Sequence, residues 1–252
     1  MYEFYSLKLR PYYVRTMRPT GILASLDVDS LFTNVPVTAT IEIICNNVYH
    51  HPSIPPPAIT KPMLVKLLNA CTTECPFTHI DGSLYVQLDG VAMGSPLGVT
   101  FANFYMCDLE NKILDNNPQL KPPIYCRYID DIFVVTHDMT QLQALKTALQ
   151  NNSVLTFTHE IGHNNINFLD INVDTSTAHS TTKTFIKPTN SGIYLNFKSE
   201  CPQKYKDSTV QSMIHRTYKN ASNYKIFHQQ VIQLKQAFIN NAYPNRCFDK
   251  IL

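Results

Sequence analysis

The sequence has little of several features that common enzyme classes need. It contains no tryptophan and only 7 glycines. Neither G-x-G-x-x-G nor G-x-x-x-x-G-K-[ST] occurs, which disfavours the glycine-rich nucleotide-binding folds. No stretch reaches about 18 consecutive apolar residues, so no membrane span is expected. The 7 cysteines show no dense spacing, and we interpret them as reduced thiols of an intracellular protein.

Composition and charge indicate a globular protein with two different halves. Of 252 residues, 44% are apolar and 16% are charged, which excludes wholesale disorder. Residues 1–182 hold 10 Lys and Arg against 16 Asp and Glu, whereas residues 183–252 hold 11 against 3. An acidic front half would concentrate carboxylates, for example around metal ions, and a basic back half would follow a polyanion. The alternative is that surface charge simply varies along the chain.

Hydrophobic periodicity predicts a mixed fold of helices and strands. A capping box of Thr140 and Gln143 is predicted to start one of the helices. Helices are predicted over residues 37–50, 63–71, 98–114, 140–149, 207–220 and 223–240. Strands are predicted over residues 21–29, 154–159, 166–173 and 183–187, with hairpins over residues 77–88 and 125–136.

Three carboxylates stand where apolar strands end. Asp27 closes the first predicted strand, and Asp130 and Asp131 lie at the tip of the second hairpin. Carboxylates beside apolar strands are costly unless a cation neutralises them. If the two strands are neighbours, Asp27 and Asp130 would hold two Mg²⁺ ions in the arrangement used for phosphoryl transfer. The alternative is that Asp130-Asp131 is an ordinary solvated turn.

The residues around these carboxylates resemble the catalytic motifs of reverse transcriptases. Leu26-Asp-Val-Asp-Ser-Leu-Phe-Thr-Asn-Val-Pro36 is similar to the first motif, and residues 90–103 are similar to the second. Tyr128-Ile-Asp-Asp131 matches the third, aromatic-x-Asp-Asp motif. The three motifs occur in the family's order, which makes their chance co-occurrence improbable.

The finer resemblance is to the reverse transcriptases of Penelope-like retroelements. It is carried by Ser30-Leu-Phe-Thr-Asn-Val-Pro36 and by Asp89-Gly-Val-Ala-Met-Gly-Ser-Pro-Leu97. Residues 167–170 and 187–195 also resemble that family's later palm and primer-grip region. The resemblance runs from about residue 20 to about residue 225.

The resemblance implies roles for individual residues. Asp27 and Asp130 would be the principal ligands of two Mg²⁺ ions, with Mn²⁺ as a substitute, and Asp131 and the backbone carbonyl of Val28 would support them. Phe32 would lie under the incoming sugar and exclude a 2′-OH, or else be a core aromatic residue.

Other implied contacts involve the nucleotide, the template and the primer. Met93 occupies the place where many relatives outside the family have Gln, beside the incoming dNTP. Gly94 and Ser95 would let the backbone approach the nascent pair and the template. Lys187 would contact a primer or template phosphate. The tyrosines and lysines of the segment 194–225 could bind nucleic acid by stacking and by charge. The candidate contact residues within it are His215, Arg216 and Lys219.

The implied fold is α+β, a right-hand polymerase palm made of an antiparallel sheet backed by helices. We expect a remnant of the fingers in residues 1–20, a palm over residues 21–175 with a finger-like insertion at about 45–88, and a primer grip and helical thumb over residues 176–252. About 20 residues before the first motif are too few for complete fingers.

The implied partners are an RNA template, a DNA primer and dNTPs, with no membrane involved. A nuclear location is expected from the family, although no targeting signal is visible. An endonuclease domain is expected in the full-length element and is not seen in these residues.

Two alternatives remain open. The family usually has Ser-Pro where this chain has Gly98-Val99, and Arg where it has Ile186, so the chain would instead be a catalytically inactive nucleic-acid-binding remnant. His159-Glu-Ile-Gly-His163 spells the zinc-protease motif H-E-x-x-H. That motif needs a helix, whereas the preceding residues favour a strand, so we expect an extended segment and two histidines that do not converge.

Overall fold

The computed structural model describes residues 21–249 except residues 54 and 178. The predicted remnant of the fingers in residues 1–20 lies outside this range. The chain divides into two compact units, whose described parts are residues 26–160 and residues 21–25 with 161–249. The larger part of the second unit starts at Ile161, and the strands that follow pair with one another in a separate sheet. The predicted division into palm and thumb at residue 175 stays a prediction.

A four-stranded sheet with strand order β4-β5-β1-β6 organises the first unit. Strands β4 and β5 form the predicted antiparallel hairpin, in which Tyr128 lies opposite Asp131. A separate antiparallel hairpin pairs β2 with β3 and turns at Gly82, which has a positive φ of 84°. The bounds are β1 Ile22–Val28, β2 Pro76–Thr78, β3 Leu84–Val86, β4 Ile124–Tyr128, β5 Asp131–Thr136 and β6 Phe157–Gly162.

Helices bury the apolar residues of this unit. Helix α4 packs against α2 and α5, and α5 also packs against β5. Helix α3 is amphipathic only in part: Met63 and Leu67 are 51% and 50% exposed, and Leu68 is the buried residue of that helix. The helices are α1 Leu31–Asn34, α2 Val37–Tyr49, α3 Lys61–Ala70, α4 Gly98–Asn116 and α5 Met139–Asn151, with a 3₁₀ turn at Pro118–Leu120.

Helix α5 begins earlier than the sequence predicted. Its N-cap is Asp138, whose carboxylate accepts a hydrogen bond from the backbone N–H of Gln141 at 2.8 Å. The Gln141 side chain in turn accepts one from the backbone N–H of His137. The predicted capping box of Thr140 and Gln143 is therefore wrong. The helix starts two residues earlier, because Asp138 accepts a hydrogen bond from a backbone N–H of the first turn.

The second unit packs helices against a three-stranded antiparallel sheet, β7-β8-β9. The single strand predicted over residues 166–173 is a hairpin, because Leu169 turns the chain with a φ of 53°. Gln230 bonds both the N–H and the C=O of Thr184 and so ties a helix to β9. The elements are β7 Asn165–Phe168, β8 Ile171–Asp174, β9 Thr181–Thr184, α6 Gln203–Asn220, α7 Tyr224–Asn240 and α8 Arg246–Asp249.

The predicted pair of closing helices is confirmed by α6 and α7. The apolar positions of α6, α7 and α8 converge on one core, made of Val210, Ile214, Leu234, Phe238, Tyr243 and Phe248. Across the part of the chain that the structure describes, no helix combines the length and the apolar character that a bilayer span requires.

A close backbone contact fixes the loop before α4. Gly90 has a φ of +70°, and a Cβ added there would lie 2.5 Å from the backbone of Phe32 and Thr33. The next residue, Val91, donates its N–H to the carbonyl of Phe32 at 2.7 Å. Only glycine provides both the positive φ and the empty space that this approach requires.

We predict that Gly90→Ala lowers the free energy of unfolding by about 3 kcal/mol, since it adds a steric clash to the cost of the positive φ. The matched control is Gly82→Ala, which has a similar φ of +84° and no atom within 4 Å of its added Cβ. That control should cost only about 1 kcal/mol, the cost of the φ alone. Urea unfolding of both variants measures the difference, and equal losses would contradict the proposed contact.

Candidate active site

The structure brings Asp27 and Asp130 to neighbouring positions. Val28, which follows Asp27 on β1, donates its backbone N–H to the carbonyl of Asp130 at 3.2 Å. On the other side, Asp29 donates its N–H to Thr156 at 2.9 Å. The predicted adjacency of the strands that carry Asp27 and Asp130 is therefore confirmed.

Like charges meet at this point of the sheet. Partial burial raises the pKa of Asp27, and the nearby carboxylates of Asp130 and Asp29 raise it further. Within residues 21–249, as far as they are described, no lysine, arginine or histidine forms an ion pair with Asp27 or Asp130. Carboxylates that repel one another without a cationic side chain fit a divalent cation, which prefers oxygen ligands.

Asp131 follows Asp130 directly in the chain. It is the first residue of β5 and lies opposite Tyr128. Among the described residues no group of three or more acidic, histidine or cysteine side chains is placed to hold a metal ion. The geometry therefore supplies Asp27 and Asp130 as candidate ligands, and the metal-supporting roles of Asp131 and Val28 stay predictions.

A tight turn after β1 sets the position of Phe32. Ser30 has a φ of 50°, and its carbonyl accepts hydrogen bonds from the side chains of Thr33 and Asn34. These bonds fix the start of helix α1, on which Phe32 lies with its side chain half-buried.

The second predicted motif forms an open loop that ends at α4. Met93 is 71% exposed. Gly94 has a φ of +87° with free space around it, and the hydroxyl of Ser95 accepts a hydrogen bond from the N–H of Leu97. A Cβ added at Gly98 would lie 3.0 Å from the Ala92 carbonyl and 3.5 Å from the Phe32 ring.

The residues of the second unit that are predicted to contact nucleic acid are exposed, but one of them, Arg216, already forms an ion pair. The Arg216 Nε donates to Asp170 at 2.8 Å, so this guanidinium already has an anionic partner. Lys187 follows β9, and its side chain lines, with Arg216, a cavity of about 360 Å³. His215 and Lys219 are exposed on α6.

The protease motif does not form a zinc site. His159 and Glu160 lie on strand β6, which ends at Gly162, so the helix that would align His159 with His163 is absent from this segment. His159 instead contacts the amino group of Lys146 through Nδ1 at 3.2 Å. The predicted extended segment is confirmed, and the zinc-metallopeptidase alternative is wrong.

Sequence reasoning missed a buried charged pair next to the site. Arg127 and Glu110 are 2% and 1% exposed and join at 2.6 Å between Nε and Oε1. The signals available were an arginine inside an apolar strand and a glutamate on the apolar face of α4. The electrostatic part played by Asp29 was also not foreseen, although its place two residues after Asp27 was visible.

A family model matches the part of the chain that carries Asp27 and Asp130. The model described as reverse transcriptase (RNA-dependent DNA polymerase) matches residues 8–156, more than half of the chain. A second model, described as animal helix-turn-helix domain, matches residues 193–252. No curated protein matches the chain significantly.

Solved structures give the same fold. A telomerase from Candida albicans in complex with a fragment of telomeric RNA superposes with a TM-score of 0.61 at 10% identity, covering 91% of this chain and 41% of that one. The apo telomerase from Candida tropicalis gives 0.53 at 14% identity, over 92% and 42%. The BmCPV RNA-dependent RNA polymerase at elongation state gives 0.51 at 12% identity, over 80% and 19%.

At these identities the likeness concerns the fold alone. The chain spans about two fifths of the length of the two telomerase chains. The fold is the palm-like, mixed α and β arrangement of right-hand polymerases, as the sequence predicted.

We predict that Asp27→Asn stabilises the metal-free protein at neutral pH by a few degrees in Tm. The pKa of Asp27 is higher in the folded protein than its ordinary value of 3.8. The folded state therefore loses stability relative to the unfolded state as the pH rises from 3.8 through the folded-state pKa. The gain should vanish near pH 3, where the native Asp27 is protonated. Thermal melting across this range measures it, and a gain that is independent of pH would contradict the assignment.

Proposed function

The chain belongs to the reverse transcriptase (RNA-dependent DNA polymerase) family, and we propose that it is an RNA-directed DNA polymerase of a Penelope-like retroelement. The observation that carries the activity is the pair Asp27 and Asp130, joined through the backbone bond from Val28 and free of a cationic partner in the described structure. The Penelope-like assignment is supported by the sequences of residues 30–36 and 89–97.

The proposed reaction transfers a nucleotide from a dNTP to a primer 3′-OH, with RNA as the template. Asp27 and Asp130 would hold Mg²⁺, supported by the Val28 carbonyl and Asp131. The chemistry that the ion would supply there is a lowered pKa of the attacking hydroxyl and charge stabilisation of the leaving pyrophosphate. The protein's own contribution is to hold these carboxylates in position on a rigid sheet, so that little rearrangement is needed during the reaction.

Residues around the carboxylates would arrange the substrates. The loop of Met93, Gly94 and Ser95 is open to solvent at Met93, and its free space at Gly94 leaves room for a nascent base pair. In the second unit, Lys187, His215 and Lys219 are exposed cations or titratable groups suited to phosphate contacts. Arg216 would join them by exchanging Asp170 for a phosphate. The same proposal places the protein in the nucleus, where its DNA target lies.

An inactive nucleic-acid-binding remnant is the alternative, and the departure at Gly98 bears on it. A Cβ there would lie tight against the Ala92 carbonyl at 3.0 Å and in ordinary van der Waals contact with the Phe32 ring at 3.5 Å. Glycine therefore suits this position of the loop, so Gly98 is not in itself a sign of a decayed motif. The activity proposal rests on the pair Asp27 and Asp130, and primer extension separates it from the remnant.

Primer extension on an RNA template tests the proposal. We expect extension with Mg²⁺ or Mn²⁺ and none after chelation. Asp27→Asn and Asp130→Asn should each lower kcat at least about 100-fold, since each removes a charged ligand of the metal ion that would stabilise the reacting phosphate. The control Asp108→Asn changes a half-buried carboxylate paired with Lys112 on α4 and should act like the native protein. Absence of extension by the native chain, with template binding retained, would establish the remnant instead.

We predict that Phe32 selects the sugar of the incoming nucleotide. Its ring is half-buried and lies near Gly98, and the family resemblance places it under the incoming sugar. Phe32→Ala should lower the preference for dNTP over rNTP at least about 10-fold by removing a steric barrier to the 2′-OH. The measurement compares kcat/KM for both nucleotides.

Phe101→Ala is the matched control for stability. Phe101 is fully buried on α4, and its loss should cost about 3–5 kcal/mol without changing sugar selection. If Phe32→Ala shows the same loss of stability and an unchanged selectivity, Phe32 is a core residue and the proposed gate is wrong.

A further inference from the structure

A buried polar cluster surrounds Arg127 on β4. Its Nε donates to Glu110 Oε1 at 2.6 Å, one Nη donates to Asn103 Oδ1 at 2.8 Å, and the other contacts Cys107 Sγ at 3.2 Å. The Tyr125 hydroxyl donates to the same Glu110 oxygen at 2.7 Å. The cluster therefore anchors the guanidinium to helix α4 from several directions.

The same guanidinium holds the turn that precedes Asp130. The Nη group that bonds Asn103 also donates to the carbonyl of Ile129 at 3.0 Å. Ile129 has a φ of 60°, an unfavourable conformation for a β-branched residue. Such strain persists only where the surroundings hold the backbone in place. The hydrogen bond from Arg127 restrains the backbone at Ile129, the residue before Asp130.

Stability alone explains this cluster poorly. Both charged side chains are almost fully removed from water, and Glu110 Oε2 is buried without a hydrogen-bond partner among the described residues. Apolar residues of similar volume often serve a core as well as a buried ion pair or better. What apolar residues cannot supply is a planar set of donors reaching a carboxylate and a strained backbone carbonyl at once.

We propose that Arg127, anchored by Glu110, is a positioning residue that sets the place of Asp130 at the metal through the carbonyl of Ile129. The inference rests on the proposed function, since it assumes that Asp130 holds a divalent cation. Arg127 is buried at 2% exposure and acts through the turn, so it is not itself a catalytic residue.

The decisive variant removes both charges together. In Arg127→Met/Glu110→Met no unpaired charge is left in the core, so the fold should persist by circular dichroism and melting. The hold on Ile129 is lost, and we expect the affinity for Mn²⁺, measured by electron paramagnetic resonance of free Mn²⁺, to fall about 10- to 100-fold, as for other residues that orient metal ligands. The kcat for primer extension should fall with it, while KM for the primer stays unchanged.

Two comparisons complete the test. Glu110→Gln keeps the contact with Arg127 and should change Mn²⁺ affinity by less than about 3-fold, well below the loss typical of orienting residues. The control pair Asp108→Asn/Lys112→Met removes an ion pair on the outside of the same helix and should leave both readouts unchanged. A folded double variant with native Mn²⁺ affinity overturns the proposal.

Failure to fold does not end the test. Arg127→Lys keeps a charge beside Glu110 without the planar donors, and a folded Arg127→Lys protein with native Mn²⁺ affinity also overturns the proposal. If neither variant folds, the pair is a determinant of folding and the positioning role is wrong. The positioning role is also wrong if the native protein binds no Mn²⁺. If the native protein binds Mn²⁺ but extends no primer, the proposed polymerase activity is wrong, whereas the positioning role is retained.

Discussion

Repulsion between carboxylates is the constraint around which the first unit is built. Partial burial raises the pKa of Asp27, and the charges of Asp130 and Asp29 raise it further. No cationic side chain among the described residues forms an ion pair with Asp27 or Asp130 to offset this. The packing around these carboxylates must therefore keep them close together against their mutual repulsion. Strand β5 supplies this through its run of buried residues from 132 to 136, which anchors the sheet on the side of Asp130.

Strained backbone flanks the carboxylates on both strands. Ser30 follows Asp29 with a φ of 50°, and Ile129 precedes Asp130 with a φ of 60°. Each turn is held by side-chain donors, from Asn34 in the first case and Arg127 in the second. A site that must keep like charges at fixed positions uses rigid turns for that purpose, because relaxed loops would let the carboxylates move apart.

Local features of the fold were predictable and long-range ones were not. The hairpin around Asp130 and the strand through His159 follow from β-prone runs and nearby turns. The contact between Arg127 and Glu110 joins residues 17 apart in sequence, and hydrophobic patterns place charged residues outside. Leu169 was assigned to a continuous strand because nothing in a leucine signals the left-handed turn that splits β7 from β8. The adjacency of Asp27 and Asp130 was predictable only because the order of the motifs resembled a known family.

The basic half of the chain offers less free charge than its composition suggests. Residues 183–252 hold 11 Lys and Arg against 3 Asp and Glu, but Arg216 is bound to Asp170, and Lys206 is buried with its amino group 5.2 Å from the centre of the Phe197 ring. These cations contribute to folding of the second unit before they meet any ligand. The net positive charge of the whole segment would attract a polyanion over a long range. Direct contacts would be made only by the exposed basic side chains that have no partner within the protein, so attraction and contact depend on different sets of residues.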